Sequence, residues 1–256
     1  MNLATFNVNS VRARLPNVLD WLKSAQPDAV CLQEIKCESD AFPRAEFEAL
    51  GYHCTVHGQK TYNGVAILSR TPARVVSTSL LNDDEQARYL EVELEGLRLI
   101  NIYAPNGNPV ESEKFPYKLR WLEALIARAR ALLREEVPFV ITGDYNIIPE
   151  PQDCHDPKAW EGDALYRPES RAKWRTLCNL GLYDAFRVLH PQASHAFTFW
   201  DYQAGAWPRD AGIRIDHALL SPQVADRLLS CTIDKAPRGA EKASDHTPLI
   251  IELTAQ

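Results

Sequence analysis

Polar side chains of the types that bind metal ions and phosphates stand at the ends of hydrophobic runs in this sequence. Four runs end in such residues, and two later runs begin with them. If the last two strands run antiparallel to the earlier ones, all six groups meet along one edge, where ligand sites commonly form. The residues concerned are Asn7, Asn9, Glu34, Tyr103, Asn106, Asp144, Asn146, Asp216, Asp245 and His246.

The chemistry of such an edge would rest on four carboxylates, several amides, a phenol and an imidazole. A bare cluster of carboxylates repels itself, and a hard divalent cation is the simplest compensation. Oxygen ligands without thiolates favour Mg²⁺ or Mn²⁺ over Zn²⁺. The site suits a reaction on a phosphate, because a cation and an imidazolium neutralise the phosphate while a carboxylate activates a water.

Each of these motifs also has a purely structural interpretation. The segment Gly143–Asn146 is a common turn signature. Glu34 has Lys36 available as an ion-pair partner, and Asp245-His246 could cap a turn. The recurrence of such residues at six strand ends is what favours chemistry over structure.

Stretches of strand and helix character alternate along the chain and must position this edge. Ala29–Leu32 and Phe139–Thr142 are short apolar runs, typical of strands buried on both faces. Tyr89–Glu95 alternates between apolar residues and glutamates, which predicts a half-exposed strand. Leu97–Tyr103 follows as the second arm of a hairpin.

Three segments have the apolar spacing of amphipathic helices that cover a sheet. One begins at Leu15 and ends before Pro27, and another spans Ser170–Leu180. In the longest, Lys118–Arg134, apolar residues recur at spacings of three and four, and we expect Lys118 on the remaining, polar side. Helices combined with a hairpin predict a mixed sheet flanked by helices.

The composition is that of an ordinary folded protein, with 256 residues of which 45% are hydrophobic and 24% charged. Without a low-complexity tract or linker, we expect a single domain over residues 1–256. The apolar runs are far shorter than the ~20 residues of a membrane span. The first residues lack the apolar core of a secretory signal. We therefore expect a cytoplasmic protein without a membrane partner, and a monomer.

The cysteines and the net charge are less informative. None of the six cysteines has the spacing of a zinc site, so reduced structural thiols are expected. The net charge of −6 runs against a nucleic-acid enzyme, since phosphate binding normally recruits a basic surface. A metal held by the carboxylates would reverse the sign locally. Charge alone leaves open whether the partner is a polyanion.

An aromatic segment near residue 200 has two interpretations. Residues 197–202 alternate in a way that suits a strand in the core. The following loop carries Trp207 and Arg209, which could wedge beside an unstacked nucleotide and hold DNA. The pattern does not choose between core and DNA contact.

Several motifs occur along the chain in a set order. They are Asn7–Arg14, Leu32–Glu34, Gly58–Ser69, Gly143–Asn146, Arg214–Asp216 and Ser244–His246. In combination they resemble the signatures of bacterial exonuclease III, in the endonuclease/exonuclease/phosphatase superfamily, and they extend from residue 5 to residue 250. The resemblance implies an α/β four-layer sandwich: two mixed β-sheets packed face to face, with helices on the outer faces.

The same resemblance implies a DNA-repair phosphodiesterase. It would hydrolyse double-stranded DNA at abasic sites and at recessed or blocked 3′ ends, as exonuclease, endonuclease and 3′-phosphatase. It would require Mg²⁺, with Mn²⁺ as a substitute. The balance among these activities stays open, because residues 149–168 match no motif of the family, although they carry Trp160 and Tyr166.

Roles carried over by position come from the resemblance as well. Glu34 would be the principal metal ligand, within a set formed by Asn7, Glu34, Asp144, Asn146, Asp245 and His246. Asp144 would activate the water and Asn146 would help to hold it. His246, oriented by Asp216, would stabilise the transition state, with Tyr103 near the scissile phosphate. Asn9 would lie near the metal and Asn106 near the DNA backbone, and both would help to bind DNA.

Two alternatives are weaker. A phosphatase or phosphodiesterase of the same superfamily acting on inositol or lipid phosphate esters would carry a Trp-Cys-Asp-Arg-type motif, which is absent near Arg214–Asp216. A binding module that had lost the chemistry would be expected to lack one of Glu34, Asp144, Asn146, Asp245 or His246, and all are present.

Overall fold

The computed structural model describes residues 1–255 as two six-stranded sheets with helices on their outer sides. Gln256 lies outside the described residues, so the expected domain of 1–256 extends one position beyond them.

The first sheet is mixed. Its strands are β1 (Asn2–Asn7), β2 (Ala29–Gln33), β3 (His53–His57), β4 (Val65–Ser69), β11 (Leu228–Ile233) and β12 (Leu249–Leu253), in the order β11-β12-β1-β2-β4-β3. β1 and β2 are parallel, and the other neighbours are antiparallel. The last strand, β12, therefore runs opposite to β1, as the sequence pattern required.

The second sheet repeats this arrangement. Its strands are β5 (Arg74–Ser77), β6 (Tyr89–Leu94), β7 (Leu97–Tyr103), β8 (Phe139–Asp144), β9 (Tyr183–Asp184) and β10 (Asp216–Leu220), in the order β5-β6-β7-β8-β10-β9. β7 and β8 are parallel, and β10 is antiparallel to β8.

The helices complete four layers. They are α1 (Leu15–Ala25), α2 (Arg44–Glu48), α3 (Lys114–Arg134), α4 (Pro168–Asn179), α5 (Ala185–Leu189) and α6 (Pro222–Ala225). Apolar residues of α1 pack on the first sheet, and those of α3 and α4 pack on the second. The inner faces meet in a shared core that includes Leu3 and Cys31 from one sheet and Leu90 and Val140 from the other. The predicted four-layer α/β sandwich is confirmed.

Two predictions about exposure were wrong. The strand β6 is not half-exposed, because Glu91 is 1% exposed and lies between Arg98 and Arg128 of the neighbouring strand and helix. Paired arginines compensate the desolvation of this carboxylate. The helix α3 begins at Lys114, and Lys118 lies on its buried side instead of the polar side.

Two other sequence expectations can be compared with the fold. All six cysteines are free thiols in the described part of the chain. Over residues 1–255, no helix has both the length and the apolar content needed to cross a bilayer.

Candidate metal and phosphate site

Strand register brings most of the predicted site residues together. The parallel pairing of β7 with β8 places Tyr103 beside Asp144. The antiparallel pairing of β8 with β10 places Asp216 on the other side of Asp144. In the first sheet, Asn7 is paired with Gln33, so that Glu34 follows at the same edge.

The backbone at this edge has unusual local conformations. Gly143 has φ +143°, and a Cβ there would lie 2.0 Å from the carbonyl oxygen of Ile102 in the neighbouring strand. Glu34 and Asn146 have φ values of 51° and 49°, in the left-handed region that side chains other than glycine seldom adopt. Such conformations require support from their surroundings and are concentrated at functional sites.

One amide joins the carboxylates of the two sheets. Asn7 Nδ2 donates to Glu34 Oε1 at 2.9 Å and to Asp144 Oδ2 at 3.0 Å. Asp144 Oδ1 accepts the backbone N–H of Asn146 at 2.9 Å. Because Asn7 is fully buried and Asp144 is 1% exposed, this contact fixes the two sheets against each other at the site.

The imidazole of His246 is held between two aspartates. Its Nδ1 lies 2.8 Å from Asp216 Oδ2, and its Nε2 faces Asp144 Oδ2 at 3.7 Å. Asp216 is fully buried, and its Oδ1 has no hydrogen-bond partner among the described residues. His246 is therefore oriented by a carboxylate at Nδ1, and its Nε2 offers an N–H to a ligand when the imidazole is protonated.

The two carboxylates joined by Asn7 differ in acidity. Burial by itself would raise the pKa of Glu34, but the ammonium of Lys36 and the hydrogen bond from Asn7 hold it below its ordinary value. Lys36 Nζ lies 2.9 Å from Glu34 Oε2. Burial, together with the negative charge of Asp216, raises the pKa of Asp144 to about 7. The ionised form of Asp144 is therefore disfavoured, and a nearby cation would stabilise it.

His246 and Tyr103 are protonated at neutral pH. Burial opposes a charge on His246, but Asp216 outweighs it and raises the pKa of His246 to about 10. Burial and the charges of Glu34 and Asp144 raise the pKa of Tyr103 well above its usual value. The site therefore pairs a proton acceptor, Asp144, with a cationic donor, His246.

These residues fit a metal ion. Among residues 1–255, Glu34, Asp144 and His246 offer ligand atoms that all lie within 4.8 Å of one another. Two of the three are carboxylates, and the donors carry no sulfur, which suits a hard divalent cation. A cation there would stabilise the ionised form of Asp144 that burial now disfavours.

The other predicted ligands lie around this group. Asp245 accepts from Asn9 Nδ2 at 3.2 Å, and Asn9 Oδ1 accepts from Lys36 Nζ at 2.5 Å. Asn146 Nδ2 donates to the carbonyl of Ala104 at 2.9 Å. Asn7, as oriented, presents its nitrogen to the carboxylates, so its oxygen faces the backbone N–H of Asn9 instead.

The site opens into a cavity of about 310 Å³. Glu34, Asp144, Asp245 and His246 contribute to its polar wall, and Trp160, Leu165, Phe199 and Ile215 contribute to its apolar wall. The segment 149–168, which no motif explained, thus supplies part of the cavity through Trp160 and Leu165.

The aromatic segment near residue 200 is partly in the core and partly exposed. Phe197 and Trp200 are fully buried. Trp207 is half-buried, with its ring centroid 4.9 Å from that of Trp200, whereas Arg209 is exposed. An aromatic that the pattern did not single out lies nearer the site: Tyr202 is 50% exposed, and its hydroxyl accepts from Asn9 at 3.3 Å.

One residue of the site was misplaced by sequence reasoning. Lys118 Nζ donates to the backbone carbonyls of Asn106 and Asn146 and is fully buried. A signal was present, since Lys118 lies three residues after Phe115 and three before Trp121, both on the buried side of α3. The predicted apolar face, read from Leu119, Leu122, Ile126, Ala129 and Leu133, did not include it.

Comparison with known proteins decides the family. Residues 4–246 match the Endonuclease/Exonuclease/phosphatase family. The chain belongs to that family. A curated relative, exodeoxyribonuclease III of Haemophilus influenzae, is 36% identical over 98% of this chain and 99% of its own length. The resemblance to exonuclease III is therefore confirmed.

Solved structures of several proteins superpose on this chain over 99% or more of its length. An AP endonuclease from Archaeoglobus fulgidus has a TM-score of 0.95 at 38% identity, with 100% of each chain covered. The Neisseria 3′ phosphatase NExo, bound to a product DNA hairpin, has a TM-score of 0.96 at 38% identity and the same coverage. A 3′-5′ exonuclease structure of NExo from Neisseria meningitidis gives 0.95 at 39% identity, covering 99% of each chain.

Proposed function

We propose that this protein is a DNA-repair phosphodiesterase that hydrolyses double-stranded DNA at abasic sites and at 3′ ends. The observation that carries the proposal is the Glu34–Asn7–Asp144 contact beside the Asp216–His246 pair, at the mouth of a cavity. The family relatives named above, an AP endonuclease, a 3′ phosphatase and a 3′-5′ exonuclease, support the same enzyme class.

Asp144 is the proposed base. Its carboxylate is buried, faces the cavity, and has a pKa raised by burial to about 7, which matches proton abstraction near neutral pH. Asn146, held by the carbonyl of Ala104, would help to orient the water and the phosphate. Such positioning removes part of the entropic barrier of the reaction.

His246 and Tyr103 are the proposed partners of the phosphate. A protonated His246 donates from Nε2 to a phosphoryl oxygen, and Asp216 at Nδ1 keeps it charged. Although His246 belongs to the metal-binding group by distance, an imidazolium has no free lone pair for a cation. We therefore assign it to the phosphate first. The protonated hydroxyl of Tyr103 can donate to the phosphate or to the leaving oxygen.

Mg²⁺ is the proposed cofactor, with Mn²⁺ as a substitute. Glu34 and Asp144 would hold it, with Asn146 and Asp245 at the margins of the site. Asn7 would orient the two carboxylates through its amide nitrogen. A bound divalent ion supplies neutralisation of phosphate charge. Hard oxygen donors are what favours magnesium over zinc here.

We propose that the four residues predicted from the sequence to bind DNA, Asn9, Asn106, Trp207 and Arg209, do so. Asn106 lines the cavity, and its Nδ2 lies 3.4 Å from Asn146 Oδ1. Asn9 lies beside the site through its hydrogen bond to Asp245. Trp207 has its ring against Trp200, so Arg209 is the freer of the two loop residues to meet a phosphate. We also propose a single-domain, monomeric and cytoplasmic enzyme.

The decisive experiment uses three end-labelled duplexes: one with an abasic site, one with a 3′-phosphate and one intact. Each is incubated with the protein, with Mg²⁺ or with a chelator. We expect cleavage that the chelator abolishes and Mg²⁺ or Mn²⁺ restores. Failure on all three duplexes, with hydrolysis of an inositol or lipid phosphate ester, would instead support the alternative within the superfamily.

A further inference from the structure

Lys118 is a buried lysine without a carboxylate partner. Its side chain is 0% exposed, and no acidic group among residues 1–255 forms an ion pair with it. Its Nζ donates instead to two backbone carbonyls, at 3.1 Å to Asn106 and at 2.5 Å to Asn146. Taking an ammonium out of water is costly, and two neutral acceptors offset that cost only in part.

The two carbonyls belong to the loops that carry the amides of the site. One loop follows β7 and presents Asn106, and the other follows β8 and presents Asn146. Both side chains line the cavity. The two loops are far apart in sequence, and the side-chain contact between them, Asn106 Nδ2 to Asn146 Oδ1, is long at 3.4 Å. The Asn146 amide also reaches the first loop, at the carbonyl of Ala104. Lys118 adds two further hydrogen bonds, one to the backbone of each loop.

The surrounding backbone is adapted to this link. Gly107 has φ +92°, and a Cβ at that position would lie 2.7 Å from Cδ of Lys118. A glycine therefore leaves room for the lysine stem to pass between the loops. Asn146 has φ +49°, so a hydrogen bond on its carbonyl helps to hold a conformation that is otherwise unfavourable.

We propose that Lys118 is a positioning residue that fastens the loops after β7 and β8 together, so that Asn106 and Asn146 face the phosphate. The proposal rests on the proposed function of the site. To reach both carbonyls, the side chain needs two N–H groups and an aliphatic stem as long as that of lysine. An ammonium and a neutral amine both supply them.

The test replaces Lys118 by a neutral chain of similar length, Lys118→Met. We expect the single-turnover rate on an abasic duplex to fall by roughly 10- to 100-fold, because misplacement by about 1 Å carries such a penalty. The KM for DNA should change by less than about 3-fold, since the binding surface is retained. Leu125→Ala, which shortens a buried side chain of the same helix away from both loops, should lower stability and leave the rate per folded molecule unchanged.

Hydrogen exchange read by mass spectrometry tests the link without reference to activity. Lys118→Met should speed exchange in residues 104–108 and 145–148, and Leu125→Ala should not. If Lys118→Met does not fold, Lys118→Gln serves instead, because it keeps a polar end group on a stem one atom shorter than that of lysine. Unchanged exchange and an unchanged rate would overturn the proposal. A parent protein inactive on DNA, with loops that still loosen in the variant, would overturn the proposed function and leave the loop link standing.

Discussion

Because Asp144 is buried, we predict that its ionised carboxylate lowers the stability of the metal-free protein. The carboxyl has an ordinary pKa of 3.8 and a folded-state pKa raised by burial to about 7. A group with a raised pKa contributes stability that is complete below pH 3.8 and is lost as the pH rises through about 7. In the metal-free protein, Asp144→Asn removes the group that must ionise, so the variant should be more stable at high pH.

The size of the effect follows from the two pKa values. Between about pH 5 and about pH 8.5, the stability of Asp144→Asn relative to the parent should grow by roughly 2 to 3 kcal/mol. Any hydrogen bond lost with Asn7 lowers the variant at both pH values and largely cancels from this difference. The same substitution should lower turnover by at least ~10²-fold, because the proposed base is gone.

Urea denaturation in a chelator at the two pH values measures this difference. The exposed Asp226→Asn is the matched control and should move stability by less than about 0.5 kcal/mol at either pH. A relative stability of Asp144→Asn that does not rise with pH would refute the claim that burial destabilises the ionised carboxylate. Addition of Mg²⁺ should stabilise the parent more than the variant, because the variant has lost a charged ligand.

Three further predictions concern the metal, the imidazole and the aromatic loop. Glu34→Gln should raise the Mg²⁺ concentration needed for half-maximal cleavage, and an unchanged metal titration would assign the ion to other ligands. Asp216→Asn removes the charge that keeps His246 protonated, so activity should be lost at a lower pH than in the parent, as a pH–rate profile would show. Trp207→Ala should weaken duplex binding in an equilibrium titration without altering Mg²⁺ binding; equal DNA affinity would leave Trp207 a packing residue.

The strands that carry the site and the positions of the polar groups at their ends could be predicted from the sequence. Short apolar runs ending in Glu34, Tyr103 and Asp144 mark strand ends, because a polar group without a partner is costly inside a strand buried on both faces. The reversal of the last two strands needed a hypothesis, which the pairing of β12 with β1 and of β10 with β8 confirmed. Local patterns of this kind depend on residues close together in the chain.

The partners of buried charges could not be predicted in this way. Glu91 was expected in solvent because it alternates with apolar neighbours, and Arg98 and Arg128 make its burial possible. Likewise, the inward turn of Lys118 depends on carbonyls of two loops that other strands deliver. A pattern of polarity shows which side chains prefer water. It does not show which of them have buried ion-pair or hydrogen-bond partners that replace water.

The amino-acid sequence determined the strands that carry the site, the family and the set of groups able to act on a phosphate. The tertiary structure alone decided which of these groups touch, and with them the acidities of Asp144 and His246. The physical reason is that a pKa depends on desolvation and on charges a few ångströms away. Those charges come from strands that are distant in the chain and adjacent in the two sheets.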